Sequence, residues 1–233
     1  MKKNVPLSER LRLISSFVPE GKRLADIGTD HGYVPVYLVY NGIIPSAIAM
    51  DINPGPLRKA QENVDFYGTG DKIELRLSDG MEKLKENEAD TVIIAGMGGR
   101  LIKRIMDNAK DICRSINEFI LSPHSEIEVV RQYLMENGYE IIREQMIFDD
   151  GKYYTVMKAV HGKMEFGSVE ELLYGKKLLE NKDRVLKEYL TKEREKFKLI
   201  LNKLSGNSEG ILSRRAQVEE SIMVLERALS RYI

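Results

Sequence analysis

Apolar positions along this chain gather in short strand-like runs, several of them continuously apolar, separated by longer stretches of helical period. The runs Arg23–Ile27, Ala47–Asp51, Ile73–Leu77, Thr91–Ala95 and Phe119–Ser122 read as strands. Val92-Ile93-Ile94-Ala95 shows the pattern best. A strand with no polar alternation is covered on both faces, as in the centre of a parallel sheet. Helical patterns lie between the runs, over Tyr33–Asn41, Gly55–Tyr67, Gly80–Glu86, Arg100–Ala109 and Glu126–Asn137. One more helix precedes them, from about Glu9 to Val18. Ser8 caps it, Leu11, Ile14 and Val18 share a face, and Gly21 follows its end. Strands alternating with helices, joined by right-handed crossovers, predict an α/β fold with a doubly wound sheet.

The pattern then changes twice. Tyr139–Phe148 and Lys152–Val160 are β-rich and flank Asp149-Asp150-Gly151, which reads as a hairpin. From Ser168 onward strand signals end, and Lys, Glu and Leu dominate. A helical stretch covers about Val169–Leu204 with a break near Gly175, and a turn follows over Ser205-Gly206-Asn207-Ser208-Glu209-Gly210. A last helix runs from about Ile211 to Tyr232. Its Val218, Ile222, Leu225, Leu229 and Tyr232 alternate spacings of four and three, a heptad seam. Leu186, Leu190, Phe197, Leu201 and Leu204 offer the partner face. The expectation is a domain over residues 1–162 and a helical coiled-coil hairpin over 163–233. The seam either packs on itself or drives a homodimer.

Composition narrows the function by exclusion. Thirty-six basic residues balance 36 acidic ones, so no whole-protein field draws nucleic acid or membrane. The balance is uneven along the chain: residues 161–233 carry 15 Lys and Arg against 12 Asp and Glu, and Lys176–Lys198 carries nine against five. A single cysteine, Cys113, rules out an intramolecular disulfide and a cysteine-based zinc site, and no metal is expected. The segment Met1-Lys2-Lys3-Asn4-Val5-Pro6 lacks the apolar core of a signal peptide, and no run is long enough to span a membrane. A cytoplasmic protein is the expectation.

The candidate chemistry lies at the strand ends. Leu24 to Tyr33 read LADIGTDHGY, and the second strand stops on Asp51. This is the layout of a nucleoside-binding strand–turn–helix–strand unit. Gly28 and Gly32 let backbone approach a ligand, the helix beginning near Tyr33 offers free N–H groups, and Asp51 can accept from two ribose hydroxyls. Asp51 is equally placed to cap the helix after Pro54, with Ile52 beside the sugar. The turn lacks the Gly-x-Gly-x-x-Gly of dinucleotide binders and reads Asp26-x-Gly28-x-Asp30-x-Gly32, close to the Asp/Glu-x-Gly-x-Gly-x-Gly of S-adenosylmethionine sites, with Asp30 in the place of a glycine. A carboxylate repels a pyrophosphate but suits the α-ammonium of S-adenosylmethionine, so Asp26, Gly28, Gly32 and Tyr33 read as a methyl-donor site. Ser78-Asp79-Gly80 follows the third strand, where Asp79 and Gly80 either meet the adenine of the donor or make a simple Asp-Gly turn. Ala95-Gly96-Met97-Gly98-Gly99 closes the fourth strand; Gly96 and Met97 border the donor, and the glycines leave room for a flat substrate. No Asp/Asn-Pro-Pro-aromatic motif of amino-directed adenine methyltransferases stands there. Ser122-Pro123-His124-Ser125 ends the fifth strand, and His124 on that rim can hydrogen-bond a substrate.

Five α/β units closed by an antiparallel hairpin resemble the Rossmann-like class I methyltransferases. The segments LADIGTDHGYVP, AMDINPGPL and IAGMGG, together with the helical tail, resemble the bacterial tRNA (adenine(22)-N1)-methyltransferase family. That resemblance implies methyl transfer from S-adenosylmethionine to N1 of an adenine in the D-loop region of tRNA. Family members often carry Gln-Pro-Asn or Gln-Pro-Gln where this chain has Ser122-Pro123-His124. Adenine N1 has an in-plane lone pair at neutral pH and can attack without losing a proton, so positioning is the main demand. The product is cationic; Asp30 is the first candidate to face the developing charge, with service to the cofactor as its alternative, and His31 on the same turn is the second. In a duplex N1 is paired, so the base must be unpaired or flipped. Arg10, Arg12, Lys22 and Arg23 near the first helix, with Lys176, Lys177, Lys182, Arg184, Lys187 and Lys192 on the tail, are the candidates to hold tRNA phosphates. Two other readings remain: a methyltransferase for a small molecule or protein whose tail is an oligomerisation arm, and a non-catalytic donor-binding module.

Overall fold

The computed structural model describes residues 4–206 and 208–233, so Met1, Lys2, Lys3 and the Asn207 of the expected turn lie outside the described residues. The chain divides into two compact units, residues 1–164 and 165–233.

The first unit holds a seven-stranded sheet. Its elements are α1 (Glu9–Ser15), β1 (Leu24–Ile27), α2 (Tyr33–Tyr40), β2 (Ala47–Asp51), α3 (Pro54–Tyr67), β3 (Ile73–Leu77), β4 (Thr91–Ala95), α4 (Gly99–Asn108), α5 (Lys110–Ser115), β5 (Glu118–Ser122), α6 (Ile127–Glu136), β6 (Tyr139–Asp149) and β7 (Lys152–His161). The strands lie in the order β3-β2-β1-β4-β5-β7-β6. The first five are parallel, and β7 inserts antiparallel between β5 and β6. Strand order reverses between β1 and β4, and a crevice opens outside the carboxyl ends of strands at such a point. The apolar runs behave as their composition requires: β1 is buried at all four positions, and Val92, Ile93 and Ile94 of β4 are buried with them.

Three local expectations change. The first helix ends at Ser15 rather than Val18. The Ser15 hydroxyl donates to the Leu11 carbonyl (2.8 Å) and Ser16 to Leu13 (2.7 Å), and such returns compete with helical pairing. The segment Gly80–Glu86 is a run of turns, not a helix. Gly80 has φ +54°, the Ser78 hydroxyl ties Gly80 O (3.1 Å) to Lys83 N (3.1 Å), and Met81 and Leu84 plug the core. A short α5, not foreseen, follows α4 after a break at Ala109 and buries Cys113.

The hairpin strands carry a device of their own. A register shift between Ile141 and Arg143 leaves Ile142 exposed and turns Glu144 inward. There Glu144 meets Arg131 of α6 at 2.9 Å, both side chains 1% exposed. The pair ties the helix that covers β6 to that strand.

The second unit is helical: α7 (Val169–Tyr174), α8 (Lys176–Glu180), α9 (Arg184–Lys203) and α10 (Glu209–Ser230). The break at Gly175 is present, and a second, unforeseen one falls at Lys182, with φ +49°. Asp183 then caps α9 by accepting from Leu186 N (2.9 Å). Leu186 and Leu190 of α9 and Val218 and Leu225 of α10 are buried, joined by Ala228. Arg227 and Arg231 reach Glu170 (3.4 Å) and Glu171 (2.9 Å), fixing the end of α10 to α7.

Removing one partner of a buried ion pair strands the other, at about 3–5 kcal/mol. Arg131→Met should therefore lower unfolding free energy by that order in urea titration, and adding Glu144→Leu should recover most of it. A double variant no more stable than the single one would show that stranded charge is not the cause.

Candidate active site

The site is built where β1, β2, β3 and β4 end. The turn after β1 is fixed first by its backbone: Gly28 and Thr29 N–H both donate to the Met50 carbonyl (2.8 and 3.0 Å), and Gly32 N–H donates to Thr29 (2.9 Å). Gly28 and Asp30 both lie in the left-handed region (φ +75° and +49°). A side chain at Gly28 would also collide with the Met97 thioether methyl. Inside the turn the Thr29 hydroxyl donates to Asp26 Oδ2 at 2.7 Å.

Two cavities meet at Gly28. One, of about 190 Å³, is lined by Asp51, Ile52, Asn53, Ser78, Asp79, Gly80, Met97, Leu101, Arg104 and Ile105 as well as Ile27 and Gly28. The other, of about 320 Å³, takes Arg10, Leu11 and Ile14 from α1, Asp26 to His31 of the turn except Ile27, Tyr33 and Val34 of α2, and Ile93, Ala95 and Gly96 of β4 and its end. The first suits a nucleoside. Asp51 Oδ1 accepts from Asn53 N (2.8 Å), which shapes the turn before α3 and leaves Oδ2 for a ribose hydroxyl. Ile52 is exposed at its mouth, and Leu101 and Ile105, four apart on α4, form an apolar wall.

The larger cavity carries charge. Asp26 is 6% exposed, and burial pushes its carboxyl up to about 6, against the Thr29 hydrogen bond and with the help of negative Asp51. Asp30 is an open carboxylate, 3.5 Å from His31 Nε2, and the His31 ring stacks on Tyr33 with centroids 5.5 Å apart. Asn63 of α3 donates to the His31 carbonyl (2.8 Å) and holds that backbone in place.

The glycine-rich end of β4 is pinned to the end of β5. Gly96 N–H donates to Ser122 O (3.0 Å), His124 N–H to Met97 O (3.0 Å) and Gly99 N–H to Ser125 O (2.9 Å). A side chain at Gly99 would strike the Glu126 carbonyl. This zip brings His124, which is exposed, next to Met97. Ser122 is no rim residue: it is 1% exposed, and its hydroxyl has no partner among the described residues.

The structure thus collects Asp26, Gly28, Asp30, His31, Tyr33 and Gly96 around one cavity and Asp51, Ile52, Asp79, Gly80 and Met97 around the other. Gly32 lies beneath, where a Cβ would press on Ala60 at 3.1 Å.

The expected phosphate-binding set does not hold together as one group. Arg10 lines the larger cavity. Arg12 pairs with Glu9 at 3.7 Å. Lys22 and Arg23 precede β1, at the opposite end of the sheet, where Arg23 binds Asp90 (2.8 Å) and holds its carboxyl down to about 2. In the helical unit Lys177 pairs with Glu180 (3.1 Å) and Lys192 with Glu188 (2.7 Å). Lys176 and Lys182 donate to the Glu165 and Ile233 carbonyls (both 3.2 Å). Lys187 lies 5.8 Å from the Tyr232 ring centroid. Lys187 and Lys192 are about 140° apart around α9, so Arg184, Lys187 and Lys192 are not one stripe.

Sequence reasoning missed Thr29, Leu101, Arg104 and Ile105. The apolar positions of the helix after Gly99 were the signal for Leu101 and Ile105; nothing local marks Thr29 or Arg104. Among the described residues no cluster of three or more His, Cys, Asp or Glu is arranged to hold a metal ion, and no helix is long and apolar enough to cross a membrane.

Comparison with known proteins agrees with this geometry. A family described as a methyltransferase domain matches residues 7–157. A curated relative, the tRNA (adenine(22)-N(1))-methyltransferase of Bacillus subtilis, is 39% identical over 156 residues, spanning 67% of this chain and 66% of the relative. A crystal structure of a putative tRNA (m1A22) methyltransferase from Streptococcus pneumoniae superposes with a TM-score of 0.91 at 32% identity, covering 96% of this chain and all of that one. The same protein has been solved in complex with S-adenosyl-L-methionine, with a TM-score of 0.88. M. capricolum TrmK, solved with S-adenosyl-homocysteine, is 29% identical over 97% of this chain and 99% of its own, with a TM-score of 0.85.

The raised carboxyl of Asp26 has a thermodynamic consequence. The folded chain holds this proton more tightly than the unfolded chain, so the contribution of Asp26 to stability is greatest below about pH 4 and is lost as pH rises through 6. A shift from 3.8 to about 6 corresponds to a cost of about 3 kcal/mol above that range. Asp26→Asn removes the cost and should stabilise the ligand-free protein at pH 8 but hardly at pH 4, as read by urea denaturation at both. An equal effect at the two pH values would contradict burial of the charged carboxylate as the source of the cost.

Proposed function

We infer that this chain, which belongs to the tRNA (adenine(22)-N1)-methyltransferase family, transfers a methyl group from S-adenosylmethionine to N1 of adenine 22 of tRNA. The observation that carries the reading is the pair of cavities joined at Gly28, one lined by the carboxylates of Asp51 and Asp79 and one by the buried carboxylate of Asp26, beside an open glycine-rich strand end. The likeness to the solved relatives covers 96% of the chain and so includes the helical unit, which favours the tRNA reading over a small-molecule or protein substrate.

The residues present fit the donor. Asp51 would take ribose hydroxyls, Asp79 the adenine amino group, and Asp26 the α-ammonium of the amino-acid tail, which supplies the cation that its buried carboxylate lacks in the free protein. The bound donor supplies a sulfonium methyl as electrophile. No general base is required, because adenine N1 already has its lone pair; the chain has to orient the base and keep water out. The strand end Gly96–Gly99 leaves space for a flat ring, and its zip to β5 keeps that space open. Asp30, left-handed and exposed beside the donor turn, would accept from the adenine N6 amino group and offset the charge that grows on the ring. His31, held on Tyr33, supports Asp30, and His124 flanks the entrance. The base must be unpaired to enter. The tail cations, with their net positive segment, would bind the tRNA body through phosphates.

Incubation with labelled S-adenosylmethionine and unmodified tRNA should place N1-methyladenosine at position 22, and absence of label from RNA would reject the reading. Asp30→Ala should lower kcat far more than donor affinity. Neutralising Lys176, Lys177, Lys182, Arg184, Lys187 and Lys192 together should weaken tRNA binding and flatten its salt dependence while donor affinity is unchanged; equal loss of both would remove the tail from tRNA binding.

A further inference from the structure

The β6–β7 hairpin runs past the helix that covers it. Met157 stands opposite Leu121 in an antiparallel pair. So β7 begins, and β6 ends, at the carboxyl end of β5, the same end of the sheet as Gly96–Gly99 and His124. Phe148 and Tyr153 pair across the hairpin, with ring centroids 4.7 Å apart and planes tilted by 51°. They share a face with Glu144, which meets Arg131 of α6. From Arg131 that helix extends toward this end only as far as Ile127, about 6 Å. Phe148 lies about 13 Å beyond Glu144 along its strand. Phe148 is accordingly 46% exposed, while Met146 and Thr155, one pair nearer the helix, are buried. The turn itself is anchored, since Asp149 Oδ2 accepts from Arg10 N–H of α1 at 3.2 Å.

We propose that Phe148 and Tyr153 form a stacking platform for an unpaired nucleobase of the RNA substrate, the neighbour of the adenine that enters the site. The assignment rests on tRNA being the substrate. An adenine drawn out of its stack leaves the adjacent base without a partner on one face, and an aromatic side chain can take that face. The platform is within reach of the site: β7 is two strands from β4, about 10 Å. Area argues against a protein partner. Ile142, the other exposed large apolar side chain of β6, is about 20 Å away along the strand. The apolar surface here is little more than two rings, well below the about 800 Å² per partner of a stable protein interface. The anchored turn and the contact with Tyr153 hold the Phe148 ring before RNA arrives, so less side-chain freedom is lost on binding.

The chain has no tryptophan, so Phe148→Trp is both a conservative replacement and a reporter. Its fluorescence should be quenched by tRNA and not by S-adenosylmethionine. Phe148→Leu should raise the Kd for tRNA roughly 10-fold, within the range of one aromatic–base stack. Calorimetry on the same variant should give wild-type affinity for S-adenosylmethionine, and Phe148→Trp should restore tRNA binding. A tRNA with an abasic nucleotide on one side of the target adenine should cost wild type the same factor and cost Phe148→Leu nothing further. Unchanged tRNA binding by Phe148→Leu overturns the platform and leaves the substrate reading standing. Equal loss of both ligands also overturns it, by making the pair a brace for the hairpin. So does an abasic penalty that adds in full to that of Phe148→Leu, whichever neighbour is removed. Wild type that neither binds nor methylates tRNA would reject the substrate reading, and the platform with it.

Discussion

Burial of the Asp26 carboxylate is the constraint around which the site is arranged. The end of β1 is apolar by necessity, since strands flank it on both sides and helices cover it. A carboxylate there is tolerated only because the turn brings the Thr29 hydroxyl to 2.7 Å. The turn can do so because Gly28 takes a left-handed conformation and the two amides that follow β1 are satisfied by Met50 of the next strand. Position and charge are therefore set together: a carboxylate that is costly to bury in the free protein stands on the wall of the larger cavity.

The parallel sheet was legible because buried strands have a composition that little else shares. Ala47–Asp51 and Thr91–Ala95 have the bounds their apolar runs predict, and the edge strand Ile73–Leu77, in which only Ile73 is buried, has the bounds of its strand-like run. The inserted hairpin followed from Asp149-Asp150-Gly151 between β-rich runs. What was not legible depends on contacts distant in sequence or on side-chain returns to the backbone. Gly80–Glu86 carries a helical pattern, but Ser78 and the left-handed Gly80 impose turns. The bulge at Ile142 follows from the need to aim Glu144 at Arg131 on another element.

The candidate site divides in the same way. Residues on the strand ends, Asp26, Asp51, Asp79 and Gly96, were readable because the fold places strand ends at the crevice. Charged residues chosen by proximity in sequence were not. Arg10, Lys22 and Arg23 are within fourteen positions of each other, yet β1 lies between the ends of the sheet they occupy. Basic residues on the tail suffer from helical geometry: five positions along α9 turn Lys187 away from Lys192.

The contact between Arg10 and Asp149 joins residues 139 positions apart. During synthesis the turn after β1 and the strands up to β5 emerge well before the β6–β7 hairpin that braces α1. Long-range closure of this kind is slow and has a large loop entropy to overcome. The wall of the larger cavity formed by α1 is therefore completed late, when the hairpin has left the ribosome and β7 has inserted beside β5. A nascent chain would therefore have Asp51 in place at the end of β2 before the cavity bounded by α1 was finished.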